Sequence, residues 1–259
     1  MKHLTTIIIG ALFLCSTSAV KSADAVRSVH VIVALCDNEH QGIAPVPASL
    51  GNGDGPRGNL YWGALYGVKT HFKKQAEWKL LHCADGPGPY VLERCVFRHH
   101  SGRVYMVADA YRGREITRAT EDFLDAAAGR NKGTIALSDR TNIGVNGSAD
   151  LIAYVGHNGL MDFSISSLPE RADDKKRDVI ILACASRPYF RKAVTKAGAA
   201  PLLWTTNLMA PEAYTLKAAL DGWVRGESDL QIRDRAAKSY AGYQKCGLAA
   251  AKRLLVTGF

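Results

Sequence analysis

Two side chains with reactive chemistry, a cysteine and a histidine, each follow an apolar segment. Cys184 comes directly after Asp178–Ala183 (DVIILA), and His157 follows Asp150–Val155 (DLIAYV) after one glycine. A thiolate is a nucleophile and an imidazole moves protons, so a cysteine near a histidine is the minimum for catalysis by sulfur. The flanking glycines leave room for a substrate backbone and expose N–H groups that could hold an oxyanion.

Both apolar segments are predicted to be buried strands, and this decides whether the two side chains can meet. Near-continuous apolar runs are typical of strands that are buried on both faces of a parallel sheet. Functional groups of open α/β sheets gather at the carboxyl ends of the strands. If the two strands are neighbours, His157 and Cys184 face each other at one edge of the sheet. The alternatives are a plain core cysteine and a loop histidine that bonds to the backbone.

The remaining pattern alternates strands with amphipathic helices, and it predicts an α/β three-layer sandwich with a mainly parallel sheet. Residues 90–109 form a predicted hairpin, which we expect at the edge of that sheet. The other predicted strands are Val29–Leu35, Trp78–Cys83, Tyr90–Arg98, Arg103–Asp109 and Pro201–Thr205. The predicted helices are Leu60–Gln75, Glu115–Ala128, Arg187–Ala197, Glu212–Arg225 and Ser228–Gln244.

The composition is that of a globular protein. Hydrophobic residues make up 47% of the 259 residues and charged residues 22%, which excludes a wholly disordered chain. The formal net charge is +9, but the basic residues are scattered and no motif interleaves them with stacking aromatics. No nucleic-acid partner is therefore expected. Without a clear linker, residues 26–259 are predicted to form one domain.

The first 25 residues have the features of a secretory signal peptide. Lys2 gives a positive start, Ile7–Cys15 is an apolar run too short to span a bilayer, and small residues lead to a cleavage site after Ala25. We therefore predict a signal peptide at 1–25, a mature protein without a membrane span, and a periplasmic or secreted location. The alternatives are a lipid-anchored cysteine at the end of the apolar run and an uncleaved anchor.

In an oxidising compartment, the five cysteines that remain after removal of the signal peptide leave one thiol unpaired if the others pair fully. Cys83 and Cys95 are twelve residues apart on strands that are predicted to be adjacent, so a disulfide is expected between them. Cys36 and Cys246 either pair or stay free. The thiol that is left over is assigned to Cys184.

Together the two strand-end motifs resemble the caspase-like (clan CD) superfamily of cysteine peptidases, in its bacterial exported form. That family has an apolar strand ending in His-Gly and another ending in Ala-Cys; here they read DLIAYVGHNG and DVIILACAS. The helix, apolar strand and two helices within Ala183–Lys238 follow the same pattern. The resemblance covers residues 150–240, and 29–149 only by strand–helix order. Two departures are Asn158, which separates His157 from the next glycine, and the short His-to-Cys spacing of 27 residues.

The resemblance implies a cysteine endopeptidase that acts on a peptide or protein without a cofactor or metal. Cys184 would be the nucleophile, and His157 would orient the substrate and protonate the leaving amine. The backbone N–H groups of Gly159 and Cys184 would bind the oxyanion. The alternative is a catalytically inactive caspase-like module with a binding or envelope-associated role, which the departure at Asn158 favours. An unrelated α/β hydrolase is disfavoured because the chain lacks a G-x-S-x-G nucleophile elbow.

Substrate specificity is the weakest part of the resemblance. The end of the first strand and the segment after the fourth core strand would line the primary pocket, which makes Asp37, Trp204 and Thr205 the candidate substrate-binding residues. Asp37 would hold a basic substrate side chain, as in arginine-specific relatives. The alternatives are a turn residue for Asp37 and a core residue for Trp204.

Two further motifs are given structural interpretations. Gly53–Gly58 matches the G-x-G-x-x-G dinucleotide fingerprint, but it does not follow a strand directly, so a surface loop is predicted. His82, Cys83, His99 and His100 lack the tight ligand spacing of a zinc site, and no metal is predicted there.

Overall fold

The architecture is built around one large sheet and a small two-stranded sheet. A computed structural model describes residues 26–259, so the predicted signal peptide at 1–25 lies outside the described residues. The strands are β1 (Arg27–Ala34), β2 (Trp78–Asp85), β3 (Val91–His99), β4 (Val104–Tyr111), β5 (Gly133–Ala136), β6 (Asn142–Val145), β7 (Leu151–Val155), β8 (Asp178–Leu182), β9 (Ala200–Thr205) and β10 (Leu255–Val256).

The large sheet has eight strands in the order β10-β9-β8-β7-β1-β4-β3-β2, and β5 pairs with β6 separately. Its centre is parallel, because β4, β1, β7, β8 and β9 all run in the same direction. The strands added at the two ends, β10 on one side and β3 with β2 on the other, each pair antiparallel with the neighbouring strand nearer the centre. The expectation of an α/β fold with a mainly parallel sheet is therefore confirmed.

Helices cover both faces of the large sheet. One face packs against α2 and α3, and the other against α1, α4, α5 and α6. Alternate side chains of β1 and β7 enter the two cores, as the two-residue period of a strand requires. The helices are α1 (Val68–Lys73), α2 (Ile116–Ala127), α3 (Ser186–Ala197), α4 (Ala213–Arg225), α5 (Asp229–Gln244) and α6 (Leu248–Leu254). No helix in the described part of the chain is both long and apolar enough to cross a membrane.

Two predicted elements differ from the structure. The hairpin is not wholly at the edge, since β4 lies inside the sheet beside β1 and only β2 and β3 extend outward. Every residue of β4 is buried, which suits an interior strand. The predicted helix Leu60–Gln75 is reduced to Val68–Lys73. Its first part turns tightly at Gly67, where an added Cβ would lie 2.4 Å from the backbone of Trp62.

The cysteines follow the predicted pairing in part. Cys83 and Cys95 are direct partners on β2 and β3, and their sulfur atoms are 1.98 Å apart, which is a disulfide bond. The other three cysteines of residues 26–259 are free: Cys36 is buried just after β1, Cys184 is half-buried and Cys246 is exposed. A second bridge between Cys36 and Cys246 is not formed.

Candidate active site

The strands that carry His157 and Cys184 are parallel neighbours. Val155 at the end of β7 pairs with Leu182 at the end of β8. His157 and Cys184 each lie two residues beyond that pair, on the same edge of the sheet. The condition for the two side chains to share a site, that their strands be adjacent, is therefore fulfilled.

The turn that carries Cys184 has a constrained backbone. Ala185 adopts a left-handed conformation with φ 46° and ψ 37°, which costs an alanine about 1 kcal/mol or more. Thr205 holds this turn from β9: its Oγ1 donates to Ala183 O at 2.5 Å and accepts from Ser186 N at 3.0 Å. Ala185 N donates to Asn207 O at 2.9 Å. Contacts on both sides thus hold the turn between β8 and α3.

The Cys184 sulfur lies against the segment that follows β9. Met209 N donates to Sγ at 3.4 Å, and Sγ donates to Met209 O at 3.5 Å. Tyr61 is a further neighbour that the sequence did not single out. Burial raises the pKa of Tyr61 well above its usual value, and the nearby Cys36 and Cys184 thiols raise it further, so the phenol stays protonated.

The imidazole of His157 is buried and has one hydrogen-bond partner in the part of the chain that the structure describes. Its Nε2 is 2.8 Å from Asp162 Oδ2, and the side chain is 6% exposed. Tyr154 donates from its hydroxyl to His157 O at 2.9 Å, which holds the backbone at this position. Within residues 26–259, no hydrogen bond joins the His157 ring to the Cys184 sulfur.

Asn158, the residue that departs from the family motif, connects the two loops. Its Nδ2 donates to Cys184 O at 2.7 Å and its Oδ1 accepts from Leu160 N at 3.1 Å. The side chain is fully buried. Asn158 therefore caps the short 3-10 turn Gly159–Met161 and ties it to the turn that carries the thiol.

The two predicted oxyanion donors are backbone N–H groups at this edge. In the part of the chain that the structure describes, neither Gly159 N nor Cys184 N donates to a protein acceptor. A side chain at Gly159 would require the Phe163 ring to shift, because an added Cβ would lie 2.5 Å from it. Gly159 is buried and Cys184 is half-buried, and the oxyanion role of their N–H groups stays a prediction.

The three candidate substrate-binding residues are all buried. Asp37 is 5% exposed; its Oδ1 accepts from the N–H groups of Glu39 and His40, and its Oδ2 is 3.0 Å from His40 Nδ1. Thr205 holds the Cys184 turn, and Trp204 packs in the core on the α2 and α3 face. Fully buried side chains have no surface for a substrate, which argues against contact by Trp204. The substrate-binding roles of the three residues stay predictions.

The glycine-rich motif lies in a loop, and the cysteines of the candidate metal cluster lie in strands. Gly53–Gly58 is a loop, and an added Cβ at Gly53 would lie 2.1 Å from Asp37 Oδ2. Cys83, Glu93 and Cys95 form a cluster whose potential ligand atoms lie within 4.8 Å of one another. The two sulfurs of this cluster are bonded to each other, which removes them as metal ligands in the oxidised protein.

Comparison of the chain with protein-family models, with curated proteins and with solved structures gives no match. These comparisons therefore identify no family for the chain.

Proposed function

We propose that this chain is an exported cysteine endopeptidase of the caspase-like type, with Cys184 as nucleophile and His157 as the proton-transferring residue. The observation that carries the proposal is the placement of the two residues on the ends of neighbouring parallel strands, with their loops joined by the 2.7 Å bond from Asn158 Nδ2 to Cys184 O. Hydrogen-bonded loops keep a fixed relative position, which nucleophilic catalysis needs.

The reaction is acyl transfer through a thioester. His157 takes the proton of the Cys184 thiol, and the resulting thiolate attacks the scissile carbonyl carbon. The oxygen that becomes negative accepts from Gly159 N and Cys184 N. The C–N bond breaks as His157 protonates the leaving amine. A water molecule then attacks the thioester and gives a proton to His157, the C–S bond breaks, and His157 passes that proton to the departing sulfur, which releases the acid and the free thiol. The Met209 N–H, which lies 3.4 Å from Sγ, stabilises negative charge on sulfur.

A second candidate is a non-catalytic module that keeps the same fold. It is favoured by the burial of His157 and by the two backbone contacts of Met209 on the thiol. In that case the edge of the sheet binds a partner without cleaving it.

Active-site labelling distinguishes the two candidates. The protein is treated with a peptidyl acyloxymethyl ketone, in a Cys246→Ser background because Cys246 is an exposed free thiol. We expect one covalent adduct per chain at Cys184, and none in Cys184→Ala or His157→Ala. If the folded protein gives no selective adduct and cleaves no member of a peptide library, the endopeptidase proposal is rejected and the module is favoured.

Preference for basic substrate residues has a separate test. If Asp37 holds an arginine or lysine side chain, Asp37→Asn should lose that preference while it keeps an acceptor oxygen for the loop amides. An unchanged preference would reject this role for Asp37 and leave the endopeptidase proposal standing.

A further inference from the structure

A carboxylate outside the predicted dyad bonds directly to the imidazole. Asp162 lies five residues after His157, at the end of the 3-10 turn, and its side chain is about one-third exposed. Asp162 Oδ2 is 2.8 Å from His157 Nε2 and also accepts from Gly42 N at 2.9 Å. One oxygen thus joins the loop after β7 to the loop after β1.

We propose that Asp162 is the positioning residue of His157 and selects the ring tautomer that works with Cys184; this inference rests on the proposed endopeptidase function. An ionised carboxylate only accepts hydrogen bonds, so the ring nitrogen that faces it must carry the proton. The proton on Nε2 leaves Nδ1 with a free lone pair in the neutral ring. Nδ1 is then the atom that exchanges protons with the thiol and the leaving amine.

The surroundings hold His157 and Asp162 in this arrangement. The backbone of His157 is fixed by Tyr154, and the turn between the two residues is capped by Asn158. Asp162 N donates to Gly159 O at 2.8 Å, which sets the direction of the carboxylate. Among the described residues, Asp162 provides the one hydrogen bond that orients the ring.

Gly42 gives a way to disturb Asp162 without changing either dyad residue. An added Cβ at Gly42 would lie 2.4 Å from Asp162 Oδ1, so Gly42→Ala must displace the carboxylate. Gly42 is exposed in a loop, and it is not among the glycines with positive φ, so alanine fits the backbone there. Gly242→Ala is the matched control, because nothing lies within 4 Å of its added Cβ.

The test compares Asp162→Asn, Asp162→Glu, Gly42→Ala and Gly242→Ala. A misplacement of about 1 Å costs about 100-fold, so we expect kcat to fall about 10- to 100-fold in Asp162→Asn and Gly42→Ala. KM should stay within about twofold, because the interaction acts on proton transfer and not on substrate binding. Asp162→Glu keeps a carboxylate and should retain more activity than Asp162→Asn. Equal kcat values in all four variants and the wild type would overturn the inference.

A spectroscopic readout keeps the two proposals separate. The ¹⁵N shifts of the His157 ring should show a protonated Nε2 and an unprotonated Nδ1 in the neutral wild-type protein. This pattern should be lost or mixed in Asp162→Asn and retained in Gly242→Ala. An inactive wild type with the Nε2–H tautomer would reject the endopeptidase and keep the positioning role. An active wild type with the Nδ1–H tautomer would reject the positioning role alone.

Discussion

The buried hydroxyl of Thr205 should be one of the most costly single groups to remove near the site. Thr205→Val keeps the shape of the side chain and removes Oγ1. Two buried backbone groups then lose their partner, the Ala183 carbonyl and the Ser186 N–H. Ser186 Oγ keeps Ile181 O as its acceptor, so it adds no further cost.

The magnitude follows from the number of groups that lose a partner. An unsatisfied buried donor or acceptor costs about 1–3 kcal/mol, so two of them should lower the free energy of unfolding by about 2–6 kcal/mol. At about 2–4 °C per kcal/mol for a domain of this size, the melting temperature should fall by about 4 °C or more. The loosened turn should also slow ketone labelling of Cys184.

The matched control is a second buried threonine, whose hydroxyl makes no hydrogen bond within residues 26–259. Thr215 on α4 is fully buried, and its Oγ1 has no hydrogen-bond partner among the described residues. Thr215→Val removes a buried hydroxyl that makes no hydrogen bond in the described part of the chain to offset its loss of hydration. The free energy of unfolding should therefore stay unchanged or rise by about 1–2 kcal/mol.

Urea unfolding of the two valine variants and the wild type gives the comparison. The midpoint should fall for Thr205→Val and stay or rise for Thr215→Val, with the dependence on urea unchanged. Equal midpoints for the two variants would refute the assignment of Thr205 as the residue that holds the Cys184 turn.

Three further predictions concern stability elsewhere in the fold. Replacing both Cys83 and Cys95 by alanine opens a loop of about a dozen residues and should cost about 3 kcal/mol in urea unfolding; no loss would contradict the disulfide. Burial lowers the pKa of His71 to about 4 in the folded protein. The unfolded chain binds a proton at this histidine near pH 6.5, whereas the folded protein binds it only near pH 4. Stability should therefore fall as the pH drops from about 6.5 to about 4, and His71→Phe should flatten this dependence in a pH series of melting curves. Gly53→Ala brings its Cβ against Asp37 and should lower the melting temperature, whereas an unchanged value would show that the loop moves aside freely.

Most of the sheet was predictable because its strands are apolar runs bounded by polar or glycine residues. The predicted strand Asp178–Ala183 differs from β8 by one residue, and Asp150–Val155 differs from β7 by one. Apolar density predicts strands well when both faces are buried. β10 was missed because it is two residues long and exists only through its pairing with Trp204 and Thr205.

For the candidate site, the sequence indicated the residues that lie at or just after the strand ends and no others. Cys184 and His157 follow apolar strands, a pattern that the sequence displays directly. Asp162 and Met209 carry no local signal, because each reaches the site through a loop whose path depends on the rest of the fold. Asn158 was interpreted as a departure from a motif, although its side chain is the link between the two loops.

The residue types and the periodicity of this chain were sufficient for the α/β class, for the pairing of Cys83 with Cys95 and for the choice of Cys184 and His157. These features depend on hydrophobic periodicity and on short-range spacing, both of which are local properties of a chain. The bond between Asp162 and His157 spans only five residues, but Asp162 also accepts from Gly42 N in the loop after β1. Which strands became neighbours, and which hydroxyl held the Cys184 turn, depended on contacts between residues far apart in the sequence. Such contacts form only when the two cores are packed, because burial makes each hydrogen bond necessary and fixes its partner.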